Sequence, residues 1–135
     1  MKLRTYSDGG ARGNPGPGAI GVMICDSKGE VLLEHKDVIG DSTNNVAEYC
    51  ALIAALALAQ ELGGSEVEAF LDSELVVHQM SGKYKVKSES LRELVSEAKT
   101  LEKKFSTVSY RHLPREDSRM KRVDRLVNLA LDGRD

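Results

Sequence analysis

The sequence predicts an α/β fold: a five-stranded mixed sheet flanked by helices. Three observations carry that expectation. Apolar segments of strand length, broken by glycine-rich turns, fill the first forty or so positions. A long and almost wholly apolar segment follows, too long for a strand. From there strand-like and helix-like segments alternate to the end.

Residues 2–8 form the first expected strand, stopped by Gly9-Gly10. Residues 11–18 read as a turn-rich loop around Gly13-Asn14-Pro15-Gly16-Pro17-Gly18. Residues 19–25 and 30–38 are two apolar strands, and Asp26-Ser27-Lys28-Gly29 between them suits a hairpin. The long helix is expected over 43–62, closed by Gly63-Gly64. Residues 66–71 make a strand ending at Asp72, and 73–80 a short helix ended by Ser81-Gly82. Lys83-Tyr84-Lys85-Val86-Lys87 is a small alternating basic segment. Over 88–104, Leu91, Leu94, Val95, Ala98 and Leu101 follow helical spacing. Residues 105–113 are the fifth strand and, after Pro114, residues 115–131 the last helix.

At 135 residues the chain fits one domain, 1–135, with room for a real core. It is 41% apolar and 30% charged, an ordinary balance for a soluble protein. A formal charge of −2 gives no global basic field, so a nucleic-acid partner must meet a local patch. The longest apolar run, 46–59, falls short of the roughly 20 residues a bilayer requires, and the start of the chain does not resemble a signal peptide. A cytoplasmic monomer with no membrane partner is expected. Cys25 and Cys50 lie in apolar runs and read as small buried hydrophobes, with no spacing that suggests a disulfide or a thiolate metal site.

Four acids stand out. Glu48 is the sole charge in the apolar run, where a carboxylate is costly unless it sits at a helix end, is paired, or binds a metal. Placed in the first turn, three residues after Asn45, it fits a capping box. Asp8 precedes a glycine pair and suits a turn; Asp72 precedes Ser73 and suits an N-cap. Asp124 stacks with Met120, Val127 and Leu131 at the margin of the last helix's apolar stripe, with Lys121, Arg122 and Arg125 nearby. Each acid has a structural explanation on its own. Together they fall at strand ends and helix starts, where sites assemble in α/β sheets. Four carboxylates at one pole repel one another unless cations neutralise them. Oxygen ligands suit Mg²⁺ and Mn²⁺, and two such ions about 3.5–4 Å apart form a clamp for phosphoryl displacement.

The blocks Tyr-Ser-Asp8-Gly-Gly-Ala-Arg-Gly-Asn14-Pro-Gly-Pro-Gly, Thr43-Asn44-Asn45-Val-Ala-Glu48-Tyr, Leu-Asp72-Ser73-Glu and Val-Asp124-Arg-Leu-Val-Asn resemble type 1 ribonuclease H across nearly the whole chain. The resemblance implies the ribonuclease H-like fold and endonucleolytic cleavage of the RNA strand of an RNA/DNA hybrid, leaving 3′-hydroxyl and 5′-phosphate ends. It implies Asp8, Glu48, Asp72 and Asp124 as catalytic residues holding two Mg²⁺ ions, or Mn²⁺ in their place. One ion would activate the attacking water and the other would stabilise the leaving 3′ oxygen, with Asp8 the most shared ligand. It further implies Gly9, Asn14, Thr43, Asn44 and Asn45 as contacts to the hybrid, whose 2′-OH distinguishes RNA from DNA.

The chain also departs from the best-known bacterial pattern of that family. It has no Trp, its basic protrusion is reduced to Lys83, Lys85 and Lys87, and Asp41 stands where some members carry a phosphate-holding Arg. The segment before the last helix lacks the glycine-rich His loop, which leaves Arg115 or Arg119 as candidates near the metals and His112 as a strand end. His35 and His78 have no partner motif and read as structural. Two other readings stay open: a hybrid-binding module of the same fold with weak or lost cleavage, and another nuclease of the superfold. The four intact acids argue against the first. The asparagine-bearing loops argue against the second.

Overall fold

The glycine pair after Asp8 does not end the first strand. In the computed structural model, which describes residues 1–134, β1 (Lys2–Ala11) runs through Gly9 and Gly10. It continues because β2 (Gly16–Asp26) supplies antiparallel partners there, Gly9 opposite Ile20 and Gly10 opposite Ala19. Ladder pairing thus overrides the turn preference of the glycines, and the loop expected over 11–18 shrinks. The third strand also outruns its expected end: β3 (Val31–Ser42) pairs with β2 as far as Ser42 opposite Gly16. Asp26 closes the hairpin between them, its Oδ1 accepting from the amides of Lys28 and Glu30, both at 2.9 Å.

The long helix α1 (Asn44–Glu61) is capped by Thr43, whose Oγ1 accepts from the Val46 amide at 3.2 Å. Glu48 therefore lies beyond the first turn, and the capping-box role expected of it is not the one it plays. β4 (Glu66–Leu71) then runs parallel to β1, and β5 (Thr107–His112) parallel to β4. Between them lie α2 (Glu74–Met80) and α3 (Glu89–Glu102). Ser73, not Asp72, caps α2: its Oγ accepts from the Val76 amide at 3.3 Å, leaving the Asp72 carboxylate free. The last helix, α4 (Ser118–Leu131), starts later than residue 115 because Asp117 caps it, accepting from the amides of Arg119 and Met120.

The sheet order β3-β2-β1-β4-β5 puts β1 at the centre. One face buries Leu3, Val22, Ile24, Val67 and Leu71 against Leu52 and Leu56 of α1, with Val95 and Phe105 beyond. Fully buried leucines of this kind contribute about 1.5–3 kcal/mol each, so packing rather than helix propensity holds α1 in place. The other face packs Tyr6, Met23 and Cys25 against Met120 and Val123 of α4. Cys25 is buried as expected, whereas Cys50 is only half-buried. Arg119 lies over the Tyr6 ring, 5.2 Å from its centroid, and pairs with Asp117 at 3.0 Å. It fastens the start of α4 to the sheet, which removes it from the residues considered for the acid pole. Among the described residues, no helix is long and apolar enough to cross a membrane.

Two glycines set how closely helices approach the sheet. A Cβ at Gly9 would overlap the Ala47 carbonyl and lie 2.7 Å from the Glu48 amide; one at Gly21 would lie 2.5 Å from the Val123 carbonyl oxygen. Gly21→Ala should therefore cost about 1–3 kcal/mol, read as a lower urea midpoint with an unchanged slope. Gly10→Ala, whose Cβ would meet its nearest neighbour at 3.9 Å, should be neutral or stabilising by up to about 1 kcal/mol.

Candidate metal centre and substrate cleft

Asp8 stands in β1 directly opposite Gly21 of β2, the point where α4 comes down onto the sheet. Its neighbour Gly9 lies against α1 on the other face. Through that contact the Gly9 amide donates to Glu48 Oε1 at 2.6 Å, which fixes the carboxylate beside Asp8. Asp72 follows Leu71, the residue of β4 paired with Ser7 of β1, so strand register carries it to the same spot. Carboxylate oxygens of Asp8, Glu48 and Asp72 lie within 4.8 Å of one another. Asp124 comes from the opposite face, one residue past Val123. It stands outside that group of three, but lines the same cavity of about 500 Å³ and raises the Asp8 pKa.

Burial is the main force on these groups. It pushes Asp8 up to about 8, helped by the charges of Asp72 and Asp124 and opposed by the Glu48 contact. Burial also pushes Glu48 well up, with Asp8 and Asp72 adding to the shift and the Gly9 amide resisting it. None of the four acids has a Lys, Arg or His partner within 4.0 Å among the described residues. With Asp8 and Glu48 buried and Asp72 and Asp124 half-buried, this set of carboxylate oxygens without internal cations has the chemistry of a hard divalent-cation site.

The expected substrate contacts surround this pole. The Asn44 amide donates to Asn14 Oδ1 at 3.1 Å, and Asn44 Oδ1 accepts from the Ala11 amide at 2.9 Å. Those bonds tie the glycine-rich loop to the start of α1. Asn44 and Asn45 line the acidic cavity, and Asn45 also borders a second hollow of about 310 Å³ with Asn14 and Thr43. Ser88 and Ser90 complete that hollow, and Arg12, Arg115 and Asn128 line the acidic one. Ser88, Ser90, Arg12 and Asn128 were not legible as cleft residues in the sequence. The one available signal was Arg12 itself, a cation inside a glycine-rich block. Lys83, Lys85 and Lys87 sit on an exposed loop, not a strand. His112 ends β5, with Nδ1 3.9 Å from Glu74. His78 packs on the Tyr84 ring at 4.7 Å.

A family model described as reverse transcriptase-like matches residues 6–130. A bifunctional protein of Mycobacterium tuberculosis is 45% identical over 134 residues; the match covers 98% of this chain and 36% of that protein. The chain thus spans about a third of the length of this curated relative. Among solved structures, ribonuclease H1 of Halobacterium salinarum superposes with a TM-score of 0.94 at 39% identity, covering 98% of this chain and 99% of that one. LC11 ribonuclease H1, isolated from compost and solved with an RNA/DNA hybrid, gives 0.91 at 46% identity, with 97% of each chain covered.

The raised Asp8 pKa predicts how stability varies with pH in a chelating buffer. An unfolded Asp titrates near about 3.9, so between there and about 8 the folded protein holds a proton that the unfolded chain has lost. Stability should then fall as pH rises through that window. Asp8→Asn should melt higher than the parent at about pH 8, with the difference closing towards about pH 4. Mn²⁺ should raise the melting temperature of the parent more than that of the variant. A variant less stable than the parent at the higher pH would contradict the electrostatic account.

Proposed function

The chain belongs to the reverse transcriptase-like family, in its ribonuclease H branch, and from that premise we propose that it hydrolyses the RNA strand of RNA/DNA hybrids endonucleolytically. The observation that carries this reading is the convergence of two buried and two half-buried carboxylates, none paired with a cation, in a cleft bordered by asparagines. Asp8, Glu48, Asp72 and Asp124 would hold two Mg²⁺ ions, or Mn²⁺ in their place. Bound there, the ions supply a water of lowered pKa and stabilise charge on the leaving 3′ oxygen.

The chain's own groups do the remaining work. The Gly9 amide holds Glu48 in its ligand orientation. Gly9, Asn14, Thr43, Asn44 and Asn45 meet the sugar–phosphate backbone, with neutral amides and close-approaching glycine backbone suited to 2′-OH and phosphate oxygens. Arg115, exposed at the cleft wall, places a guanidinium where a phosphate next to the acids would pass. Lys83, Lys85 and Lys87 offer a local positive patch on a chain of net charge −2. In this reading the domain works as a monomer, since every candidate ligand comes from one chain.

The test is incubation of a labelled RNA/DNA hybrid with purified protein and Mg²⁺ or Mn²⁺. Internal cuts in the RNA, with 5′-phosphate and 3′-hydroxyl ends, are expected. Asp8→Asn and Glu48→Gln should each lower the rate at least about 10²-fold while circular dichroism stays native. Glu48→Gln keeps an oxygen for the Gly9 amide, so it separates the charge from the structural contact. A folded protein that cuts no RNA with either ion overturns the proposal. Hybrid binding without cleavage would identify a binding module, and equal cutting of duplex DNA another nuclease chemistry.

A further inference from the structure

We infer that Asn128 is a positioning residue for Asp124, braced from outside by Arg12 and Asp132. The argument begins with helix spacing. Asp124, Asn128 and Asp132 stand four residues apart along α4 and its C-cap, and so share one edge of the helix. Asn128 Nδ2 donates to the Asp124 backbone oxygen at 3.1 Å and approaches Asp124 Oδ2 at 3.4 Å. On its other side Asn128 Oδ1 accepts from Arg12 Nη2 at 3.3 Å, and Arg12 Nη1 pairs with Asp132 Oδ1 at 2.6 Å. The chain Asp132–Arg12–Asn128–Asp124 thus joins the end of β1 to the helix that carries the fourth acid.

Chemistry fixes the direction of this relay. A guanidinium only donates and a carboxylate only accepts, so an amide between them has one satisfactory orientation, oxygen to Arg12 and nitrogen to Asp124. The relay also answers a need of the site. Asp8, Glu48 and Asp72 come together through strand register and the Gly9 contact, whereas Asp124 stands outside that close group on a helix from the other face. A guanidinium paired directly with Asp124 would compete with a cation for its oxygens. A neutral amide orients the carboxylate and leaves its charge available. Stability does not account for the arrangement: Arg12, Asn128 and Asp132 are exposed, where such contacts contribute little, and Ala is the better helix former at position 128.

This inference rests on the proposed metal-dependent function, and the test keeps the two apart. The variants are Asn128→Ala, Asn128→Asp, Arg12→Ala and the Asn128→Ala/Arg12→Ala pair, beside Asp124→Asn. The first readout is kcat and KM on the labelled hybrid; the second is the Mn²⁺-induced rise in melting temperature of the free protein. Loss of an outer contact to a metal ligand typically lowers metal affinity or activity about 10–100-fold. Asn128→Ala should lower kcat about tenfold with KM little changed, require more Mn²⁺, and show a smaller Mn²⁺ shift, while its metal-free melting temperature does not fall. Asn128→Asp, which sets a like charge beside Asp124, should lose more. Arg12→Ala should lose less, and should add nothing in the Asn128→Ala background. Parental kcat and Mn²⁺ shift in Asn128→Ala overturn the inference, as does a salt-dependent rise in KM with unchanged kcat in Arg12→Ala. If the parent cuts no hybrid, yet the Mn²⁺ shift vanishes in Asp124→Asn and shrinks in Asn128→Ala, the positioning role stands and the assigned activity falls.

Discussion

The contact between β1 and α1 at Gly9 governs the acid pole. A helix and a strand meet there backbone to backbone, in space that any Cβ at position 9 would occupy. That closeness lets the Gly9 amide reach Glu48 and bind it at 2.6 Å. A buried carboxylate is costly without partners, and this short bond, with the contact to Asp8, meets part of that cost. The same β-segment is gripped from the opposite face, where Gly21, paired with Asp8, admits the α4 backbone. Asp8 therefore stands between two close helix–sheet approaches, with Glu48 delivered by one and Asp124 by the other.

This arrangement works against stability in the absence of cations. Burial and mutual repulsion raise the Asp8 and Glu48 pKa values, so the free protein must take up protons or bear the repulsion. The fold tolerates the burden because two separate cores anchor the elements that converge there. Leu52 and Leu56 hold α1 on one face, while Met120 and Val123, with Arg119 over Tyr6, hold α4 on the other. Strain confined to one pole and supported by ordinary packing elsewhere is the usual sign of a working site.

Much of this was legible in the sequence, and what was missed has physical causes. The strand and helix order could be read from hydrophobic spacing, and the four acids stood out because, though each fitted a local role, together they fell at strand ends and helix starts within blocks that resemble one family. Local rules failed where tertiary partners outvoted them. Gly9-Gly10 resembles a stop, but β2 supplies a ladder through it. Asp72-Ser73 offers two caps, and Ser73 takes the role, which frees Asp72. The Asn45–Glu48 spacing fits a capping box, yet the partner of Glu48 is 39 residues away, on the strand against which α1 packs. Arg119 looked like a candidate near the metals because a cation before the last helix invites that reading; its aromatic partners on β1 and β4 could not be seen locally. Arg12 and Asn128 are 116 residues apart, beyond any motif window.

The distribution of charge around the cleft follows from what the acids need. Cations directly on the carboxylates would neutralise them permanently and leave no place for exchangeable ions. Arg12 instead reaches Asp124 only through the neutral amide of Asn128 and is itself balanced by Asp132. The rest of the inner wall near α1 is Asn44, Asn45 and the Gly9-Gly10 backbone, which offers hydrogen-bonding groups without adding fixed positive charge. The lysine-bearing loop is kept apart, beyond α2, on exposed backbone. Keeping guanidinium and ammonium groups off the acids leaves Asp8, Glu48, Asp72 and Asp124 without a directly paired cation among the described residues. Such a site keeps its carboxylate oxygens open to a hard cation, because no fixed positive group competes for them.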